Sequence, residues 1–444
     1  MRIRANFATN LSSWWRALRP RIDTGRPRSL TTAAGKKLGG FDFYHEVLGS
    51  PKYVVAPMIE QSELAWRKLS RRYGAHLVYT PMINSKGFSD SKHYKFREQS
   101  FNTTAGEEGG PEDRPLIVQF GANDPEKLLA CAKIVEPYCD AVDVNLGCPQ
   151  DFARRNHIGS WLQDERGLIY DLINILHREL SIPVTAKFRV LPSIEKTVEY
   201  ARMLENAGAQ ILTCHGRTRE QRGHGSGLAD WDKIRAVKEA VSVPVFANGN
   251  VLFHGDVERV LIATGADAVM CAESNLHNPA LFLPATHHTS REASPTASAF
   301  PSPPASLSPS SVLPVSSYLT GAHPRHTTLA LEYLDIVKAQ QTPTQLTDVK
   351  AHIFRLLRPA LSRETDLREQ LGRIKLARTN AATWEMVELI VKEMDERMER
   401  DARETEGQPL ESLVTVDALT GLPILPHWLA QPYVRGPLNE PIAP

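Results

Sequence analysis

From Tyr53 onward two hydrophobic patterns alternate along the chain. Short aliphatic and β-branched runs fall at Tyr53–Pro57, Leu77–Thr80, Leu116–Phe120, Ala141–Leu146, Val184–Val190, Ile211–Cys214, Val243–Ala247 and Ala268–Cys271. Runs of this kind suit strands buried on both faces of a parallel sheet. Between them apolar positions recur at helical spacing, as in Ser62–Tyr73, Pro125–Val135, Ser193–Asn206 and Trp231–Ala240. Ser193 is a candidate N-cap, and Gly208 and Gly265 fall where a helix ends and a strand begins. The stretch Ala105–Arg114, rich in Gly and Glu, reads as a surface insertion.

Eight strands, most followed by a helix, within roughly 220 residues have the size and order of a (β/α)8 TIM barrel, an α/β fold. An open doubly wound sheet is the alternative. It would place a Gly-rich turn after the first strand, where Ala56-Pro-Met-Ile-Glu60 stands instead. The barrel therefore covers 41–284. Thr286–Ala322 is rich in Ser and Pro and has no period, so 285–325 reads as a disordered insertion. Helical spacing returns at Leu329–Gln340, Thr347–Pro359, Asp366–Ala377 and Ala382–Glu399. This predicts a smaller helical domain over 326–401, and 402–444 then reads as an irregular tail.

Charge changes this picture only locally. The formal net charge is +1, which gives no global signal for nucleic acid. Residues 1–40 hold seven arginines and two lysines against one acid, Asp23. That suits a disordered basic leader or a mitochondrial transit peptide; location in cytoplasm or nucleus is expected, with mitochondrial targeting as the alternative. Residues 350–378 hold eight Lys and Arg against three acids, a stripe that suits RNA phosphates or a solvated helix face. The cysteines at 131, 139, 148, 214 and 271 form no CxxC pair and are odd in number, so free thiols and no metal site are expected. No apolar run approaches the ~18 residues of a membrane helix. A monomer without membrane contact is expected.

Candidate chemistry sits at the carboxyl ends of the strands, where barrel enzymes gather catalytic groups. In order these ends carry Pro57-Met58-Ile59, Gln119, Asn145 with Cys148, Lys187 with Arg189, His215-Gly-Arg217, Asn248-Gly249-Asn250 and Cys271-Ala272-Glu273. Each has a bland alternative: a loop cap, a solvated edge, a core histidine, a turn that needs positive φ. Polar residues at so many ends have no structural reason. The turn at Gly249 and the small Ala272 would expose backbone N–H groups to a phosphate. Lys187 and His215 would add donors along a flat ligand, and Gln119 can both donate and accept, as an imide edge requires. These are the needs of flavin mononucleotide. Cys148 would face the ring, mostly protonated at neutral pH with an ordinary pKa of about 8.5, and could act as an acid.

The chain resembles the tRNA-dihydrouridine synthases, in particular the eukaryotic type acting on D-loop uridines 16 and 17. The carriers are Ser50-Pro-Lys-Tyr-Val-Val-Ala-Pro-Met58, Tyr79-Thr-Pro-Met-Ile83, Gln119-Phe-Gly-Ala-Asn-Asp-Pro125 and Asp143-Val-Asn-Leu-Gly-Cys-Pro-Gln150, followed by Leu162-Gln-Asp164, His215-Gly-Arg-Thr-Arg219, Ala229-Asp-Trp231, Ala247-Asn-Gly-Asn250 and Asn275-Leu-His-Asn-Pro-Ala-Leu-Phe282. The resemblance implies that Pro57–Ile59, Gln119, Lys187, His215, Asn248–Asn250 and Ala272–Glu273 contact FMN. It implies that NADPH or NADH recharges the flavin, that Cys148 is the general acid, and that Asn145 and Arg189 contact the uracil. The helical domain would grip tRNA. One departure stands out: bacterial relatives have Gly-Arg where this chain has Ala272-Glu273, so only the backbone part of that phosphate contact carries over. Three rivals are a dihydroorotate dehydrogenase, a Schiff-base aldolase using Lys187, and an inactive tRNA-binding protein with the same fold.

Overall fold

The computed structural model describes residues 37–223, 226–285, 321–374, 381–418 and 420–433. The expected strands form as β1 (Tyr53–Val55), β2 (Leu77–Tyr79), β4 (Leu116–Gly121), β5 (Ala141–Leu146), β6 (Val184–Arg189), β7 (Leu212–His215), β8 (Val245–Asn248) and β9 (Ala268–Cys271). All neighbours pair in parallel, and β1 pairs with both β2 and β9, closing an eight-stranded TIM barrel. A further pair of residues, β3 (Ile83–Asn84), resumes pairing with β4 after the break at Thr80-Pro81-Met82. Proline has no N–H to give the ladder, so the second staircase of hydrogen bonds is interrupted there.

The covering helices are α1 (Leu64–Arg72), α2 (Pro125–Val135), α3 (Arg166–Glu179), α4 (Ile194–Asn206), α5 (Trp231–Ala240) and α6 (His254–Thr264). Side chains of Asp124, Ser193 and Asp230 cap α2, α4 and α5 by accepting backbone N–H bonds. Each such cap contributes ~1 kcal/mol. Gly265 ends α6 in the left-handed region.

Strand side chains alternate, so each strand divides its residues between two cores. On β5, Val142, Val144 and Leu146 join the layer beneath the helices. Ala141 joins a second cluster with Val54, Leu77, Ile117, Phe246 and Ala268, packed against Phe43, Tyr44 and Val47 from the segment before β1. That segment closes the amino end of the barrel. Leu38 is buried with it, and Lys37 donates to His177 O and Leu180 O. Residues 37–40 of the basic leader thus belong to the fold, while 1–36 lie outside the described residues.

Ala105–Arg114 is exposed only in part: Gly106, Pro111 and Glu112 face solvent. Glu108 and Asp113 are buried, because Arg67 of α1 reaches them: Asp113 takes two hydrogen bonds, 2.9 and 2.6 Å, and Glu108 lies at 3.4 Å. Charge in the sequence suggested exposure, and a cation from another element reversed it.

The C-terminal helices are α7 (His326–Ala339), α8 (Leu346–Leu356), α9 (Thr365–Arg373) and α10 (Ala381–Arg403). Their core includes Leu329, Tyr333, Val349, Ile353 and Met394, and it continues into Ala65, Trp66 and Leu69 of α1. The seam is also polar. Glu63 accepts from Tyr333 Oη at 2.6 Å and from His352 Nε2 at 3.0 Å, and the His352 ring stacks on Trp66 at 4.0 Å. The tail is not irregular throughout: Trp428 O accepts from His326 N at 3.1 Å, and Ala430 N donates to Pro324 O at 2.9 Å. Residues 425–431 thereby strap the start of α7. Most of the expected insertion, 286–320, lies outside the described residues.

Candidate active site at the carboxyl mouth of the barrel

The barrel interior changes character along its axis. Above the apolar amino end, the inward positions become Gln119, Asp143, Asn145, Thr185, Lys187, Arg189, Thr213, His215 and Asn248, all on adjacent strands in register: Gln119 opposite Asp143, Asn145 opposite Lys187, Arg189 opposite His215, His215 opposite Asn248. The predicted residues of β4 to β8 are therefore brought together.

Their hydrogen bonds are specific. Gln119 Nε2 donates to Asp143 Oδ2 at 2.8 Å, and Gln119 Oε1 accepts from Asn145 Nδ2 at 2.8 Å. Asp143 Oδ1 accepts from Thr185 Oγ1 at 2.6 Å. Asn145 Oδ1 accepts from the backbone N–H groups of Gly147 at 3.1 Å and Cys148 at 2.9 Å. Lys187 Nζ donates to Asn248 Oδ1 at 2.9 Å, and Asn248 Nδ2 to Met270 O at 2.9 Å. Arg189 holds the surrounding loops, donating to Gly147 O, Thr218 O and Gln221 O.

Cys148 is the partly exposed thiol of the five; the other four are buried. Its turn is built for close approach. Ser160 donates to Cys148 O through both N and Oγ, and Gly159, at φ 70°, lies so near that a Cβ would sit 2.7 Å from that carbonyl. Burial raises the thiol pKa, and the cations Arg189 and Lys187 offset this only in part. The thiol is held protonated at neutral pH. Burial and the neighbouring Arg189 lower Lys187 to about 8, and burial raises Asp143 to about 6.

His215 is pushed well below its ordinary pKa by burial, with Lys187, Arg189 and Arg217 adding to the effect. It is therefore neutral. Arg217 Nη1 donates to His215 Nε2 at 3.2 Å, so the ring proton belongs on Nδ1. Arg217 Nη2 also binds Asn250 Oδ1 at 2.9 Å. Asn250 is thus committed by its side chain to Arg217 and to the Ala229 backbone. Gly249 turns the chain at φ 124°, where a Cβ would meet that of Ala229 at 2.6 Å.

At the other side of the mouth, Pro57, Met58 and Ile59 follow β1 and are partly exposed. Ser62 Oγ bonds both Met58 N and Ala56 O, fixing this turn. Ala272 and Glu273 follow β9, and Glu273 is exposed. Asp143, absent from the predicted site residues, belongs to this network. The signal was present: in Ala-Val-Asp-Val-Asn-Leu, a period of two puts Asp143 on the face of Asn145. Of the basic stripe, Arg355 donates to Gln61 Oε1 at 2.6 Å, Arg358 lies 3.5 Å over the Tyr433 ring, and Arg363 pairs with Asp401 at 3.6 Å. Among the described residues no group of three or more His, Cys, Asp and Glu is placed to hold a metal ion, and no helix is long and apolar enough to cross a membrane.

Fold and mouth together define a TIM-barrel enzyme with a cysteine beside its site. A family model described as "Dihydrouridine synthase (Dus)" matches residues 54–393, and the chain belongs to that family. A Mus musculus protein named as a tRNA-dihydrouridine(16/17) synthase-like, NAD(P)(+)-linked, is 43% identical over 90% of this chain and 71% of its own length. A Schizosaccharomyces pombe protein named for the same 16/17 activity is 42% identical over 92% of this chain and 94% of its own. A Homo sapiens protein named for positions 20a/20b is 36% identical over 57% of this chain and 76% of its own.

Proposed function

We propose that the chain is an NAD(P)H-driven tRNA-dihydrouridine synthase of the 16/17 type, with FMN at the barrel mouth, that reduces the C5–C6 bond of D-loop uridine. Held by Lys187, His215 and Gln119, FMN reduced by NADPH or NADH would supply the hydride, from N5 to uracil C6. The observation that carries the reading is the protonated Cys148 on a turn tied to Asn145, beside a mouth lined by Lys187 and His215. Cys148 donates its proton to C5, so hydride and proton together saturate one double bond.

The residues present fit a flavin. Lys187 keeps donors beyond its bond to Asn248 and would stabilise negative charge on the ring. Neutral His215 would donate from Nδ1 without adding charge. Gln119 retains one N–H and one lone pair beyond its two bonds. The phosphate would rest on the turns at Gly249–Asn250 and Ala272–Glu273. Glu273 offers no favourable charge there, which leaves the backbone to do this. Pro57, Met58 and Ile59 would cover one side of the ring. Asn145 and Arg189 would orient the uracil, which must be turned out of the folded loop to reach the barrel. The helical domain and its stripe over 350–378 would bind tRNA phosphates.

The purified protein is expected to show flavin bands that bleach on anaerobic addition of NADPH, and then to form dihydrouridine at positions 16 and 17 of unmodified tRNA. A protein that takes up no FMN overturns the reading.

A further inference from the structure

We infer that Asp143, fully buried and bonded to Gln119 and Thr185, is a positioning residue: through Gln119 and Asn145 it fixes the direction of a hydrogen-bond chain that ends on the backbone of Cys148. The role given to Cys148 rests on the proposed function; the chain of bonds does not.

A side-chain amide has two chemically distinct ends, and in a buried site each end must meet its complement. An ionised carboxylate only accepts. Asp143 Oδ2 therefore demands the Nε2 end of Gln119, at 2.8 Å. That choice turns Gln119 Oε1 toward Asn145, where it takes the Nδ2 end at 2.8 Å. Asn145 must then present Oδ1 on its other side, where the N–H groups of Gly147 and Cys148 wait at 3.1 and 2.9 Å. The two termini of the chain, an acceptor-only carboxylate and donor-only backbone groups, require the same direction. Neither amide can turn over without creating a clash at one end or both. The second oxygen of Asp143 is taken by Thr185 at 2.6 Å, which holds the carboxylate in place.

Gln119, Asp143 and Asn145 are buried, at 0%, 0% and 8% exposure, so water cannot easily supply a missing partner. Asn145 and Gln119 are thereby pre-oriented, and the turn carrying the Cys148 thiol is held from below as well as by Ser160 from the side.

The test is alkylation of Cys148 in the native protein by iodoacetamide as a function of pH, which needs neither flavin nor tRNA. The other four cysteines are buried, and Cys148→Ala gives the background. Asp143→Leu removes the acceptor. It is expected to loosen the turn, speed alkylation and move its pH midpoint down, and to lower kcat by roughly 10- to 100-fold with KM for tRNA little changed. Asp143→Asn keeps an oxygen for Gln119, and the Thr185 hydroxyl can turn to accept from the new amide; a near wild-type profile is expected. A folded Asp143→Leu protein with the wild-type profile overturns the inference. So does an Asp143→Asn profile displaced as far as that of Asp143→Leu, because then the charge and not the direction matters. Should Asp143→Leu prove insoluble, the Asp143→Asn result decides alone: wild-type behaviour supports the inference and a displaced profile overturns it. Failure of wild-type protein to make dihydrouridine would instead overturn the functional reading, whatever the alkylation shows.

Discussion

Two of the polar clusters buried among the described residues are built on opposite plans. Around Arg67 the groups close on one another: Asp113 binds the guanidinium at two points, Glu108 stands at 3.4 Å, and Arg71 donates to Asp113 O and Pro115 O. At the barrel mouth Gln119, Lys187 and His215 are also hydrogen-bonded, yet hydrogen-bonding capacity is left over. Among the described residues Lys187 has one acceptor, Asn248 Oδ1, for three protons. Buried polarity alone does not mark a site. What distinguishes the mouth is surplus donors beside an apolar floor, with a thiol at the edge.

If the comparison is right, changes in one cluster should move chemistry and changes in the other should move stability. The largest effect belongs to Cys148→Ala. Loss of a positioned acid is expected to slow dihydrouridine formation by ~10²- to 10⁴-fold with little change in thermal melting, as measured by single-turnover assay and calorimetry. Asp113→Ala should do the reverse. It strands Arg67 in the interior and is expected to cost ~3–5 kcal/mol in denaturant unfolding, while the folded fraction keeps its activity per flavin. Equal loss of kcat in that variant would erase the distinction.

Smaller effects sharpen the same contrast through pH. Because burial raises the Cys148 thiol, its alkylation midpoint should lie above the ordinary value of about 8.5; a midpoint below it would remove the argument for a protonated acid. Burial raises Glu108 from 4.5 to about 7. Folded protein then binds more protons at this residue than unfolded protein between those values, so its contribution to stability grows as pH falls from ~8 to ~5. Glu108→Gln should lack that dependence and differ from wild type by no more than ~1–2 kcal/mol at pH 7. An unaltered slope in urea titrations at pH 5 and 8 would show that Glu108 is ionised in the fold.

The barrel was legible because short apolar runs recur eight times between Tyr53 and Cys271, most of them followed by helical spacing. The strand-end residues were legible for the same reason, since register follows from the strands. Direction within a network is not. Nothing in the letters says that Gln119 gives its nitrogen to Asp143 and its oxygen to Asn145, because that depends on which strands stand side by side. Exposure was misjudged at Glu108 and Asp113 because their partner, Arg67, is 41 and 46 residues away in the chain. Asn250, which the resemblance implies contacts FMN, binds Arg217 through its side chain, a partner the letters do not disclose. The tail at 425–431 carries no period, since it is fastened by backbone bonds to residues 324–326 rather than by a repeating face.

The turn after β1 has a double allegiance. Met58 lies at the mouth, Gln61 accepts from Arg355 of α8, and Glu63 accepts from both Tyr333 and His352. Six consecutive residues therefore serve the catalytic chamber at one end and hold the helical appendage at the other. Anyone grafting a different appendage onto this barrel, to redirect it to another nucleotide, inherits a shared hinge pin. A chimera cut between the two domains by sequence alone would leave Glu63 facing the wrong partner, and the graft point belongs upstream of Gln61, with the turn exchanged together with the helices it anchors.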